Sequence, residues 1–95
     1  MFVVLLRFAE NKRAAGEHMA GHQEWIEQGL DDKVFLLVGS IQPGPGGAVL
    51  AHNTSLPQLQ ERIAADPFVA EKVVDPEIIE IAPGMADERL GFLVA

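Results

Sequence analysis

The sequence predicts an α+β domain in which two helices cover one face of a four-stranded antiparallel sheet. Three observations lead there. Short apolar stretches rich in β-branched and aromatic residues recur at strand length, and two longer stretches space their apolar residues as helices do. Their order is strand, helix, strand, strand, helix, strand, which is the split βαβ or ferredoxin-like arrangement.

Phe2–Phe8, FVVLLRF, is too short for a helix and dense in strand formers, so it reads as the first strand. A helix begins around Asn11 and runs to about Gln28, with Gly29 standing where a left-handed residue ends a helix. Lys33–Ser40, KVFLLVGS, is the second strand. The following IQPGPGG holds two prolines and three glycines and must turn. It leads into Ala48–His52, a third strand that pairs back as a hairpin. Ser55 and Gln58 form an S-x-x-Q capping box, with Pro57 in the first turn where a missing N–H costs nothing. Leu56, Leu59 and Ile63 give that second helix its apolar face. It stops before Pro67, because the residue preceding a proline is pushed out of helical angles. Glu77–Ala82, EIIEIA, alternates as a half-exposed strand. The core thus spans residues 2–82, and residues 83–95 form a tail whose LGFLVA is expected to add a strand or cross to a partner chain.

Ninety-five residues with 48% hydrophobic and 22% charged content suit one globular domain over 1–95. Fourteen acidic against seven basic residues give a formal charge of −7, which opposes nucleic acid or an anionic membrane as a partner. With no cysteine in the chain, a disulfide scaffold, a thiol nucleophile and a cysteine metal site are excluded. The opening MFVVLLRFAE is too short to span a membrane and has no basic leader region, so the expected compartment is the cytoplasm. The first two strands, FVVLL and VFLLV, offer large apolar side chains to both faces of the sheet. The face away from the helices therefore needs cover, and a second copy packed sheet to sheet, a homodimer, is the simplest.

Two of the three histidines lie on the first helix. At about 100° per residue, Ala15, Met19, His22 and Ile26 share one narrow stripe, so His22 sits on the face that packs on the sheet. A histidine so placed either fills a core position with one hydrogen bond or does chemistry. Asp66, just before Pro67, caps the short turn that follows it. Because both helices lie on one face, Asp66 can also approach His22. A carboxylate beside an imidazole sets its tautomer and supports it as a general acid or base. Gly39 and Ser40 end the second strand, where a bare backbone and a free hydroxyl suit an oxygen of a ligand.

A histidine on the first helix, a glycine at the end of the next strand and ADPF after the second helix together resemble the YciI-like, or YCII-related, family. The resemblance runs from Phe2 to about Ile81. It implies the dimeric α+β barrel group, and an acid–base site made by His22 and Asp66 with Gly39 and Ser40 at the strand end. One enzyme group related to that family eliminates chloride from a chlorinated hydroxyhydroquinone. This chain departs from the pattern at Met19, often an arginine, at Phe68, often a tyrosine, and at Lys72–Val74, often Gly-Val-Tyr.

Other side chains suggest further roles. His18 and His22, four apart and near Glu17, lack the additional ligands a zinc site needs, so no metal is expected. PGPGG lacks the Lys-Ser/Thr of a phosphate loop. Arg7 is either an ion-paired strand residue or a cation for an anionic substrate, Trp25 packs at the helix flank or lines a pocket, and Phe68 walls it. The expected function is acid–base catalysis without a cofactor on a small, hydroxylated or chlorinated aromatic molecule. The alternative is a non-catalytic dimeric module that binds a small metabolite.

Overall fold

In a computed structural model, residues 1–44 and 46–94 are described; Pro45, inside the predicted turn, and Ala95, at the tip of the tail, lie outside the described residues. The chain forms β1 (Phe2–Phe8), a 3₁₀ turn (Lys12–Ala14), α1 (Ala15–Asp31), β2 (Phe35–Ser40) and β3 (Gly46–Ala51). It continues with α2 (Leu56–Ala64), the short α3 (Pro67–Ala70), β4 (Val74–Glu80) and a 3₁₀ segment (Glu88–Leu93). The four strands make one antiparallel sheet in the order β2-β3-β1-β4, the ferredoxin-like arrangement.

Side chains alternate across each strand, apart from one register shift between Phe35 and Leu37 in β2, and the register sorts them into rows. On the helix side, Val38, Val49, Val4 and Ile78 lie abreast, and beside them Ser40, Gly47, Leu6 and Pro76. Phe2, Val4, Leu6, Val49 and Ala51 from this side join Trp25, Leu59, Ile63 and Phe68 in the core. The other side carries an unbroken apolar row, Leu37, Leu50, Val3 and Ile79, across all four strands. Leu37 is 55% exposed there and Ile79 41%. Both faces of the sheet are thus apolar at its centre.

The capping box forms as expected: the Ser55 side chain accepts from the Gln58 N–H, and the Gln58 side chain accepts from the Ser55 N–H. Three expectations need correction. Gly29 does not end α1, which continues to Asp31; it is buried inside the helix, where a Cβ would overlap the Phe35 ring. The left-handed residue is Lys33, at φ 63°. β4 starts at Val74 rather than Glu77, because Val73 and Val74 are buried and a proline such as Pro76 is tolerated on an edge strand. Within the tail, Glu88–Leu93 is a 3₁₀ segment and not an added strand, and Phe92 meets His52 edge-on at 5.4 Å. No helix among the described residues is long and apolar enough to cross a membrane.

Candidate functional site

A cavity of about 310 Å3 opens between α1 and the sheet. Its floor includes the row Leu6, Gly47 and Ser40, where Gly47 puts no side chain under the helix. The roof is the stripe seen in the sequence, Met19, His22 and Ile26, with Gln23 beside it. Phe68 and Trp25 close one side.

The second helical segment brings Asp66 to His22. Ile63 and Leu59 anchor α2 in the core, and Pro67 forces Asp66 out of helical angles, to φ −65° and ψ 124°. Pro67 then packs against α1 at Gly21, where even a Cβ would stand only 3.1 Å from its ring. That close approach puts His22 Nδ1 at 2.8 Å from Asp66 Oδ1, across 44 positions of sequence. Asp66 Oδ1 also accepts the Phe68 N–H at 3.0 Å. Capping α3 and holding the imidazole are thus both done by one oxygen atom.

Burial makes this pair consequential. Asp66 is completely buried and the His22 side chain is 14% exposed. Asp66 Oδ2 has no partner among the described residues. The imidazole lies flat on Phe68, with ring centres 3.9 Å apart and planes 3° from parallel, and faces Trp25 at 5.8 Å on another side. The Trp25 indole N–H donates to the Arg62 carbonyl at 2.8 Å, which ties α1 to α2 and fixes that wall. An ionised carboxylate only accepts hydrogen bonds, so the neutral ring paired with it carries its proton on Nδ1. Nε2 then keeps its lone pair on a side chain that lines the cavity. Chemically, this is a base on the wall of a small, mostly apolar hole.

Of the remaining side chains singled out in the sequence, Ser40 and Gly39 line the cavity with Phe68 and Trp25. Arg7 does not. It lies with Val3 and Leu5 on the opposite face of the sheet, in an ion pair with Glu77, so it cannot reach a ligand held beneath α1. His18 stands one turn from His22, with Nε2 3.9 Å from Glu17, and no group of three metal-ligating side chains is gathered among the described residues. The sequence reading missed Phe8, Gln23 and Gly47 as lining residues. Gly47 was hidden in what reads as a turn, and Phe8 shares the parity of Leu6, which the sequence of β1, apolar at both parities, does not mark as the helix-facing one.

No family model matches the chain, and no curated protein matches it. Among solved structures, it is similar to 5-chloro-2-hydroxyhydroquinone dehydrochlorinase from Burkholderia phenoliruptrix, in complex with 2,5-dihydroxybenzoquinone. The TM-score is 0.69, over 88% of this chain and 96% of that one, at 12% sequence identity. At that identity the likeness is one of fold.

Proposed function

We propose that the protein is a YciI-like enzyme that uses His22 and Asp66 for acid–base chemistry on a small organic molecule held between α1 and the sheet. His22 Nε2 takes or gives the proton. Asp66 fixes the tautomer through Nδ1 and stabilises the imidazolium as it forms. Ser40 and the Gly39 backbone receive an oxygen of the substrate, and Phe68 and Trp25 flank its ring. The observation that carries this reading is the 2.8 Å contact between a fully buried carboxylate and a cavity-lining imidazole. A hydroxylated or chlorinated aromatic suits an apolar cavity of this size, and a protein of the same fold bears the name of a dehydrochlorinase acting on such a compound.

The working unit in this reading is a homodimer joined through the open sheet face. Its support is the apolar row Leu37, Leu50, Val3 and Ile79, a contiguous surface of the kind monomers seldom leave in water.

Turnover of a panel of enolisable and chlorinated phenolic compounds tests the enzyme reading: activity should vanish in His22→Ala while the fold persists. One observation favours a second reading. Asp66 has a structural task as the cap of α3, so the pair has a reason to exist in a binding module that catalyses nothing. Ligands that bind without any turnover would establish that module.

A further inference from the structure

Among the described residues lining the cavity, His22 carries the one ionisable side chain. The other polar side chains there are the Trp25 indole, whose N–H is committed to the Arg62 carbonyl, the Gln23 amide and the Ser40 hydroxyl. This composition restricts the chemistry. A site with two ionisable groups can remove a proton with one and protonate a departing hydroxide or amine with the other. In a one-group site the base that took the proton must also give it up. Nδ1 is occupied by Asp66, so Nε2 is the single point of exchange. Charge is limited as well: a carboxylate or phosphate would enter this apolar hole with no cation to meet it, at a cost in desolvation. A neutral carbonyl oxygen needs only the neutral donors that Ser40 and Gln23 supply.

From this we infer that the cavity isomerises small neutral β,γ-unsaturated ketones by a one-base proton shift, in which His22 returns the hydrogen it removed. The inference rests on the acid–base reading of His22 given above. In the first step the Nε2 lone pair takes a hydrogen, as a proton, from the carbon between a carbonyl and a C=C bond. The C–H electron pair becomes a new C=C bond and the carbonyl π pair moves to oxygen, giving a dienolate and an imidazolium. In the second step the far carbon of the dienolate takes the Nε2 proton and the C=O bond re-forms. Nothing is oxidised or reduced, no group leaves, and the product is the conjugated isomer. Asp66 accepts from Nδ1–H through both steps, while the positive ring rests on the Phe68 face. With only 14% of its side chain exposed, His22 has restricted contact with bulk water while it holds the hydrogen.

The probe is cyclohex-3-enone carrying deuterium at the carbon between its carbonyl and double bond, incubated in ordinary water. Absorbance follows formation of cyclohex-2-enone, and NMR locates the label. The expected result is isomerisation above the buffer rate, with part of the deuterium of the first turnovers at the far ring carbon. His22→Gln, checked for folding by circular dichroism, should lower the rate by about a hundred- to ten-thousand-fold. Isomerisation with no label carried over, or no isomerisation at all, overturns the one-base shift. If phenolic compounds are still turned over in a His22-dependent way, the acid–base reading survives that failure. If no turnover of any probe depends on His22, both fall together.

Discussion

Replacing Asp66 separates the pair's structural work from its chemical work. In Asp66→Ala, the Phe68 N–H loses its cap and His22 Nδ1 loses its partner, both inside the protein. Loss of an N-cap costs about 1 kcal/mol, and loss of a hydrogen bond to a charged group about 1.5–3 kcal/mol. Removing Oδ2, a buried oxygen without a partner among the described residues, offsets part of this. The expected loss is therefore about 2–4 kcal/mol, a large share of the roughly 5–15 kcal/mol typical of a folded domain. Asp66→Asn keeps shape and cap and loses only the charge in the contact, so it should cost about 1 kcal/mol. Urea unfolding reads both variants as midpoint shifts at constant slope. Turnover should follow a different order. With its amide oxygen held at the Oδ1 position by the Phe68 N–H, the asparagine still accepts from Nδ1–H but carries no charge to stabilise the imidazolium, so Asp66→Asn should lose about a hundred- to ten-thousand-fold in rate despite its near-normal stability. If Asp66→Ala shifts stability by less than about 0.5 kcal/mol, as an ordinary surface change does, the pair is not made as described.

Gly29→Ala should destabilise by about 1–3 kcal/mol through overpacking against Phe35, read by the same urea midpoints; an unchanged midpoint would mean that α1 and Phe35 are not in contact there. The hydrogen bond from the Arg62 guanidinium, followed by that from the Gln28 amide, holds the Asp32 carboxyl below its ordinary range. Its contribution to stability is therefore complete above the ordinary carboxylate range and is lost as pH falls through the lowered value. Urea midpoints of wild type and Asp32→Asn should differ at neutral pH and converge in acid; a constant gap would refute the linkage. Leu37→Arg places a charge in the open apolar row, and sedimentation should show a dimer for wild type and a monomer for this variant. A variant that remains dimeric would place the interface elsewhere.

What could be read from the sequence depended on how local the cause was. β1 and the α2 capping box follow from neighbouring residues, and both appear where composition and capping chemistry put them. The role of Gly29 is set at a distance: it is a glycine inside α1 because the Phe35 ring fills the space a Cβ would need, and not because a left-handed residue ends the helix there. His22 was found because a polar residue interrupted an apolar stripe, and Asp66 because a proline follows it. Their hydrogen bond joins positions 44 apart, so only the fold-level expectation of two helices on one face could bring them together. Arg7 shows the opposite case. With apolar residues at both parities of β1, nothing local says which parity faces the helices, and its side chain lies on the other face. The cavity itself was the least readable feature, since its floor includes Gly47, which lies in β3 under α1 and not in the turn its neighbours suggest.

The most direct test is the protonation pattern of the His22 ring, read from long-range proton–nitrogen NMR spectra of nitrogen-15-labelled protein at a pH where the ring is neutral. A proton on Nδ1, a bare Nε2, and an Nε2 signal that moves when a phenolic or ring-ketone ligand is added are the predicted results. A neutral ring that carries its proton on Nε2, with Nδ1 bare and no response to ligand, would contradict the pairing with Asp66 and every function built on it.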